Sequence, residues 1–600
     1  MPRTEATTSS KTIPAHSSPE GEELSGSGGS HSLRWGLVAG SLAFLLLALT
    51  EPMLAIAWDE GYTLGRERRI RAWLTALADP SGFAATWSPP ARELVQQDGH
   101  PPPGRSPVVP PTPEQLDTRS KLFDPEVIAY FWPFAREEPH GHPPLYAILG
   151  LAGDVLTPWR GDLARARLGP MLLMSLAVGA VFTFLDRRMG RWAAVVGASA
   201  LVLQPRLFGH AHYAAYDAPL TALWVLAVLA FFGAVEDRSR RNPGWGWAVL
   251  MGLVIGAASA TKLTGWFIPL PLLAWTIVFR DRRGLLALLA AGPVALLTIY
   301  AFNPPWWHEP VDGFARFLAS NTGRGQTILI RVMYLGKIYR TPAESLPMDN
   351  TIVWTAMVTP IGFLVLALAG AIRSVVGHAT ERFGVLVTLN WLFLLALRAM
   401  PNVPGHDGVR LFLPAFGMLA IAAGIGAALV VGWLGRWGKG LVAAAVVEGM
   451  VSVAVMMPVP LSYYSPAVGG LPGAVRLGME PTYYWDALTG DVLEWIDANT
   501  PEGRRVATAT FPTSFFELND SGKLRTPISP RAPEPPLWFV VQNRPGALGV
   551  LEQRLLSDHE PVYVSEKFGV PLIWIFRYEA VEAIQEEWAS QPMMRGAIVP

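Results

Sequence analysis

Long apolar runs, separated by short polar connections, dominate the pattern of this chain. A run of about 20 residues is long enough for a helix to cross the roughly 30 Å hydrocarbon core of a membrane. The runs lie at about residues 34–58, 168–185, 192–208, 216–235, 245–260, 263–279, 285–302, 351–372, 384–399, 410–432 and 440–457. The pattern therefore predicts a polytopic α-helical membrane protein with about eleven spans.

One shorter apolar piece, 143–156, decides the orientation of every later loop. It contains Asp154 and is short for a span, so it either crosses the membrane or is re-entrant or interfacial. The arginine-rich connections 186–191, 236–241 and 280–283 lie on the cytoplasmic side, as the positive-inside rule requires, only when the piece does not cross. We therefore expect a cytoplasmic N-terminus and an outer C-terminus.

The composition agrees with a protein embedded in lipid. Hydrophobic residues make up 51% of the chain and charged residues only 16%. The formal net charge is zero, so nothing indicates a nucleic-acid partner, and the absence of cysteine excludes disulfides and cysteine metal ligands. Residues 1–32 are mostly small and polar, which predicts a disordered cytoplasmic tail before an uncleaved signal anchor.

Three long segments fall on the outer face under this topology: the loop 59–167, the loop 303–350 and the C-terminal region 458–600. The arginine-rich stretch 66–77 predicts an amphipathic helix that lies on the membrane. In the C-terminal region, RRVATAT, LWFVVQN and LIWIFRY predict strands, whereas GVLEQRLLS and AVEAIQEEWAS predict helices. We expect a small extracytoplasmic α/β domain after a transmembrane domain at 33–457.

Ionisable residues gather on the predicted outer face. At membrane depth such residues cost roughly 2.5–3.5 kcal/mol each on insertion scales, which makes them candidates for function. They are Asp59 and Glu60 in AWDEGY, His140 and His142 in HGHPPL, Arg206, His210, His212 and Asp217 in RLFGHAHYAAYD, Lys262, and Arg410. Their common placement argues for one shared site.

Each of these residues also has a structural explanation when it is taken alone. The Asp59–Glu60 pair can be the solvated end of a helix, and Lys262 can extend its ammonium group to the membrane interface. On a strand or loop, His210 and His212 would share one face, a spacing that suits a metal ion, although an isolated His-x-His pair is weak evidence. The common outer location is what favours a functional reading.

The order of the motifs resembles the integral-membrane glycosyltransferases of the GT-C fold, in particular bacterial members of the protein O-mannosyltransferase and lipid A aminoarabinose transferase group (glycosyltransferase family 39 and its relatives). The first span ends in the Asp-Glu pair, the outer loop ends in HPPLY, HAHYAAYDAPLTALW borders a span, and TKLTG fills a short turn. The similarity covers roughly residues 34–430. It implies an enzyme on the bacterial cytoplasmic membrane that takes a sugar from a polyprenyl-phosphate carrier at the outer face.

The resemblance also implies roles for individual residues. Asp59 matches the family's base for the acceptor hydroxyl, with Glu60 as its supporting neighbour and Asp217 as a further catalytic candidate. His142 lies in the segment that closes the first loop and is a donor-binding candidate. The aminoarabinose transferases carry Glu-Lys where this chain has Gly141 and His142. This departure leaves open whether a divalent metal takes part; the candidate ligands are Glu138, His140, His210 and His212.

The chemistry makes physical sense without the family name. Glycosyl transfer needs a carboxylate base near the acceptor oxygen and cations near the departing phosphate. Lys262, Arg410 and Arg206 are suited to neutralise a lone phosphate. We expect transfer of a hexose or pentose from a polyprenyl-phosphate-linked donor to a lipid, glycan or protein acceptor. The alternatives are a secondary transporter, whose halves usually repeat as these do not, and a non-catalytic receptor.

Overall fold

The computed structural model describes residues 26–90, 108–133, 142–237, 239, 241–322, 330–378 and 380–590. In these ranges the protein is a bundle of helices with a small mixed sheet near its C-terminus. The helices are Gly26–Thr50, Glu60–Ala78, Pro80–Thr86, Pro125–Phe131, Leu145–Leu156, Asp162–Met189, Arg191–Leu203, Pro205–His212, Asp217–Val235, Trp245–Ser259, Pro269–Val278, Arg282–Ala301, Pro310–Thr322, Asn350–Val358, Ile361–Val376, Arg382–Ala399, Pro414–Leu434, Arg436–Met456, Gly470–Arg476, Gly490–Asn499, Phe516–Asp520, Val550–Asp558 and Tyr578–Ser590.

The predominantly helical membrane fold predicted from the apolar runs is confirmed. Helices long and apolar enough to cross a membrane are Ser30–Met53, Asp162–Met189, Asp217–Val235, Arg282–Ala301, Arg382–Ala399, Pro414–Leu434 and Arg436–Met456. The pair Arg191–Leu203 and Pro205–His212 adds one more if its two parts form a single span bent by 65°. The other three predicted spans coincide with the shorter apolar helices Trp245–Ser259, Leu263–Val278 and Ile361–Val376.

Prolines divide two of the predicted spans. Pro205 starts the second half of the bent pair, and Gln204 before it is extended, with a ψ of 114°. Pro360 separates Asn350–Val358 from Ile361–Val376 in the same way. The residue before a proline avoids the helical region because the proline ring collides with its backbone. The first of these breaks places a short helix with only buried residues inside the bundle.

The first helix packs closely against Asp162–Met189 through glycines. A Cβ added to Gly179 would lie 2.7 Å from the Gly36 carbonyl oxygen, so only glycine permits this approach of the two backbones. The helix begins at Gly26, which lies inside the segment 1–32 that the sequence predicts to be disordered. The residues before Gly26 lie outside the described ranges.

The helix Glu60–Ala78 follows the first span and packs against other parts of the predicted outer loop. Arg69 donates to the Tyr130 carbonyl oxygen at 2.7 Å, and Arg71 pairs with Asp154 at 2.7 Å. Protein carbonyl and carboxylate groups thus bind these two arginines, and the placement of the helix on the membrane stays a prediction.

The piece 143–156, on which the topology depends, contains the helix Leu145–Leu156 of 12 residues. A helix of this length rises about 18 Å, well short of the roughly 30 Å of a hydrocarbon core. Its length therefore agrees with the re-entrant or interfacial interpretation that underlies the predicted topology.

The described strands form a hairpin and a small mixed sheet. The hairpin joins β1 (Ile330–Tyr334) to β2 (Lys337–Thr341), and the sheet contains β3 (Arg505–Thr508), β4 (Pro536–Gln542), β5 (Tyr563–Lys567) and β6 (Val570–Arg577). The order in the sheet is β3-β4-β6-β5, with β3 parallel to β4 and the other pairs antiparallel. Three strands and two helices of this region match the prediction; the sequence missed β5 because YVSEK is mostly polar.

The C-terminal sheet shares its core with the helical bundle. Val540 and Ile573 belong to the same buried cluster as Ile56 and Leu64, which lie on either side of the end of the first predicted span. Phe539 points to the opposite face of the sheet and packs in a separate cluster with the two C-terminal helices. The sheet therefore packs against the end of the bundle at which the first predicted span ends.

Candidate active site

Asp59 lies at the junction between the first span and the helix Glu60–Ala78. Its Oδ2 atom accepts hydrogen bonds from the Tyr216 hydroxyl at 2.6 Å, from Arg410 Nη1 at 2.8 Å and from the Tyr484 hydroxyl. The three donors come from the loop before one span, a turn before another span and the C-terminal region. Parts of the chain that are far apart in sequence thus meet at one carboxylate oxygen.

These contacts hold Asp59 as a carboxylate. Burial alone would raise its pKa, but the Arg410 guanidinium and the hydrogen bonds from Tyr216 and Tyr484 outweigh burial, so the pKa of Asp59 lies below its usual value. The side chain keeps 15% of its exposure. No described residue donates to Oδ1. The site therefore presents an ionised carboxylate whose Oδ2 atom is fixed by three donors.

Asp217 and Lys262 form a second buried pair beside Asp59. Lys262 Nζ donates to Asp217 Oδ1 at 2.6 Å and lies 4.7 Å from the centre of the Tyr216 ring. Asp217 is the first residue of the helix Asp217–Val235, where the positive end of the helix dipole favours a carboxylate. The pair thus places a lysine cation next to the phenol that binds Asp59.

Arg410 connects the carboxylates of the site. Its Nε atom lies 3.7 Å from Asp217 Oδ2, and its Nη2 atom lies 3.5 Å from Asp407 Oδ2. Asp407 also pairs with Arg544 of the C-terminal region at 3.1 Å. The backbone of Asp407 is left-handed, with a φ of 58°, a conformation that the short side chain of aspartate tolerates. Arg410 therefore lies between Asp59 on one side and a C-terminal ion pair on the other.

Glu60 points into protein rather than into the site. It is fully buried, and each of its oxygens accepts two hydrogen bonds: from the Arg167 guanidinium at 2.7 Å twice, from the Ala57 amide at 2.8 Å and from the Ala214 amide at 2.9 Å. This bidentate, fully satisfied arrangement joins the turn that carries Asp59 to the helix Asp162–Met189 and to the loop before Asp217–Val235. Protein donors thus occupy both oxygens of Glu60, and its role as a supporting neighbour of Asp59 stays a prediction.

His142 stands behind the phenol that binds Asp59. Its ring centre lies 4.0 Å from that of Tyr216, with the two planes tilted by 51°, and its side chain is buried. His142 therefore packs against the site through Tyr216. His140 lies outside the described residues.

Arg206 is enclosed by aromatic rings. Its guanidinium carbon lies 5.1, 4.6 and 4.9 Å from the ring centres of Trp354, Tyr464 and Tyr483, respectively. Its Nε atom donates to the Tyr463 carbonyl oxygen at 3.1 Å. Such cation–π contacts stabilise a desolvated arginine. The predicted phosphate-binding role of Arg206 stays a prediction.

The histidines of HAH lie on the helix Pro205–His212, where a spacing of two residues turns the side chains about 200° apart. His212 Nε2 lies 2.9 Å from Thr50 Oγ1, and its Nδ1 lies 2.7 Å from the Phe208 carbonyl oxygen. His210 instead borders a small cavity. The expectation that both imidazoles share one face is wrong, because the segment is helical rather than extended.

The small cavity lies beside Asp59's partners and is lined by Arg206, His210, Asp407, Val409, Leu461, Tyr483 and Tyr484. Across the described ranges, no three His, Asp or Glu side chains lie close enough to hold a metal ion. His210 and His212 in particular do not form a shared ligand pair. We therefore assign no step to a metal.

The structure brings together Asp59, Asp217, Lys262 and Arg410, all of which the sequence proposes as site residues. Sequence reasoning missed three direct partners of these residues, Tyr216, Tyr484 and Asp407, and it missed Arg544, which pairs with Asp407. It also missed Arg167, which could have been found because an arginine within a largely apolar helix is unusual. Tyr216 lies inside a quoted motif, and Tyr484 lies in the aromatic run TYYW.

Residues 142–308 match a family model described as dolichyl-phosphate-mannose-protein mannosyltransferase. The matched segment contains His142, Arg206, Asp217 and Lys262 of the candidate site. The match confirms, over this segment, the resemblance to membrane glycosyltransferases that the motifs suggest. Among curated proteins, none matches the chain.

Solved structures are also similar to this chain. One is ArnT from Cupriavidus metallidurans bound to undecaprenyl phosphate, with 14% identity and a TM-score of 0.46, over 90% of this chain and 98% of that one. Another is the Archaeoglobus fulgidus oligosaccharyltransferase tethered with an acceptor peptide, with 13% identity and a TM-score of 0.43, over 83% of this chain and 60% of that one.

Proposed function

We propose that this protein is a membrane glycosyltransferase that moves a sugar from a polyprenyl-phosphate-linked donor to an acceptor hydroxyl at the outer face of the bacterial cytoplasmic membrane. One observation carries the proposal: the ionised carboxylate of Asp59 contacts the buried Arg410 beside the Lys262–Asp217 pair. Residues 142–308 of the same chain match a family model described as dolichyl-phosphate-mannose-protein mannosyltransferase. We further propose that the transfer site lies in a domain of residues 33–457 and that the C-terminal region 458–600 lies on the outer side.

The geometry suits a single, inverting displacement at the sugar's anomeric carbon, with the proton accepted by protein. The acceptor oxygen bonds to the anomeric carbon while the bond from that carbon to the carrier phosphate breaks. Asp59 Oδ1 accepts the proton of the acceptor hydroxyl, and the polyprenyl phosphate leaves with the bonding electrons. In this proposal Arg410 and Lys262 are the cations that neutralise the departing phosphate.

The other residues that the sequence predicts act through their neighbours in this proposal. Glu60 fixes the turn of Asp59, Asp217 orients Lys262, and His142 supports Tyr216. Arg206 borders the adjoining cavity and stays a candidate for the carrier phosphate. Binding of a metal ion by His140 stays a prediction, because His140 lies outside the described ranges. The assay described next also tests which acceptor class (lipid, glycan or protein) is used and whether the sugar is a hexose or a pentose.

The test supplies the purified protein, reconstituted in nanodiscs, with radiolabelled polyprenyl-phosphate sugars and a membrane extract as the acceptor source. We expect label to leave the carrier, polyprenyl phosphate to accumulate, and label to enter an acceptor fraction. Absence of both transfer and carrier binding would contradict the proposal. A parallel uptake assay in sealed vesicles addresses the transporter alternative, which predicts movement of label without cleavage of the sugar–phosphate bond.

A further inference from the structure

We infer that Tyr484, contributed by the C-terminal region, is a positioning residue for Asp59, so that the C-terminal region completes the catalytic site rather than only accompanying it. The inference rests on the proposed function of Asp59 as the base. It goes further because it assigns a role to the C-terminal region, whose sequence contains no compact acid–base or metal motif.

Tyr484 is joined to the Asp59 segment by both its side chain and its backbone. The phenol donates to Asp59 Oδ2, and the Tyr484 carbonyl oxygen accepts a hydrogen bond from the Trp58 amide at 3.0 Å. The two bonds fix consecutive residues of the chain from one partner residue. Tyr484 therefore constrains the position of the Asp59 backbone as well as the direction of its carboxylate.

The ring of Tyr484 has a separate contact. The Arg410 guanidinium lies over it, with its carbon 4.5 Å from the ring centre, while the same guanidinium donates to Asp59. A cation held over an aromatic face is attracted to it. Tyr484 thus positions Arg410 through its ring and Asp59 through its hydroxyl, and the two contributions are separable by substitution.

The backbone at this point is in an unusual conformation. Tyr484 and Trp485 both have a φ of 65°, in the left-handed region that bulky residues rarely adopt, and both are buried. Such strain persists only where the surrounding structure fixes it, and it is common at functional sites. Trp485 packs edge-on against Phe515 with ring centres 5.1 Å apart. The strained pair is therefore held from the C-terminal side.

The same segment is tied directly to the sheet. The Thr482 hydroxyl donates to the Asn543 carbonyl oxygen at 2.7 Å, just after strand β4. The next residue along, Arg544, pairs with Asp407, a neighbour of Arg410. The sheet thus reaches the site by two routes, through Tyr484 to Asp59 and through Arg544 to the Arg410 turn.

The test compares Tyr484→Phe with the wild type. The substitution keeps the ring over Arg410 and removes only the hydroxyl. A hydrogen bond to a carboxylate favours its ionised form, so its loss should shift the acid limb of the pH–rate profile upward by about one pH unit or more. Tyr563→Phe is the matched control, because its hydroxyl contacts Asp491 at 3.4 Å instead; we expect its profile to follow the wild type.

A second readout needs no turnover. Infrared difference spectra should contain a protonated-carboxyl band that Asp59→Asn removes, and we expect this band to appear at higher pH in Tyr484→Phe than in the wild type. If the band shifts while no protein transfers sugar, the positioning role stands and the proposed function fails. If the wild type transfers sugar and neither the acid limb nor the band moves in a folded Tyr484→Phe protein, the inference is overturned.

Discussion

Arg410 Nη1 donates to Asp59 Oδ2 at 2.8 Å, which joins the end of the first predicted span to the turn before Pro414–Leu434. The same guanidinium lies close to Asp217 and Asp407. The candidate base is therefore paired with a cation of the protein itself. This pairing keeps Asp59 ionised and gives the site a cation suited to a phosphate.

Replacement of Arg410 should affect both stability and activity. Arg410→Gln leaves three carboxylates without their common cation, and loss of one partner of a buried pair costs about 3–5 kcal/mol. We expect a clearly lower melting temperature in detergent and a severe loss of transfer. Arg436→Gln removes an exposed arginine that contacts Trp437 and serves as the control. An Arg410→Gln protein as stable and active as the control would contradict the arrangement.

Glu60 should act through stability and position. Glu60→Gln leaves the Arg167 guanidinium without one of its two carboxylate partners, so we expect the free energy of unfolding to fall by about 3–5 kcal/mol. Arg167→Met should cost a similar amount, and the double variant should lose less than the sum of the two. Chemical denaturation of the four proteins measures this coupling. Additive losses, or an inactive Glu60→Gln protein of unchanged stability, would argue for direct catalysis by Glu60.

Glu67 should make stability depend on pH. Burial raises the pKa of its carboxyl from 4.5 to about 8, opposed by Arg71 and assisted by Asp154 and Asp162. Between these two values the unfolded chain releases a proton that the folded protein retains. The contribution of Glu67 to stability is therefore largest below about pH 4.5 and declines as the pH rises towards 8.

Glu67→Gln, which is neutral at every pH, should remove this decline. We expect its melting temperature to fall less than that of the wild type between pH 5 and 8, with the exposed Glu586→Gln as the control. Parallel pH dependence in Glu67→Gln and the wild type would show that the Glu67 carboxyl is ionised in the folded protein.

The outward orientation of the site is testable because the chain contains no cysteine. Trp159→Cys introduces a thiol at a position that is 78% exposed in the predicted outer loop, and Ser239→Cys introduces one in a predicted cytoplasmic connection. A membrane-impermeant maleimide should label only the first in intact cells and both after permeabilisation. Labelling of Ser239→Cys from outside would reverse the topology.

The sequence predicted the parts of this fold that depend on local pattern. Apolar runs located the spans, and arginine-rich loops indicated a side on which Asp59, Asp217, Lys262 and Arg410 would meet. The assumption of an extended His-x-His failed because the proline at 205 starts a new helix there. A helix as short as Pro205–His212 contains too few turns for an apolar pattern to predict it.

The contacts made by Tyr484 could not be predicted in the same way. Its hydroxyl reaches Asp59 across 425 positions of the chain, and no apolar period or motif records such a pairing. The pairing of Glu60 with Arg167 could not be predicted for the same reason, since Arg167 lies in the next long helix. Long-range polar partners become visible only when the fold places them.

The central claim is tested most directly by the transfer rate of Asp59→Asn. Asparagine keeps the size of the side chain and removes its capacity to accept a proton, so we expect transfer from a polyprenyl-phosphate sugar to fall about 100- to 10,000-fold. Carrier binding should persist, because Arg410 and Lys262 remain. Asp124 is exposed in the predicted outer loop, and its side chain makes no capping hydrogen bond. The control variant Asp124→Asn should therefore retain wild-type rates. An Asp59→Asn protein that transfers sugar at the rate of this control would contradict the account.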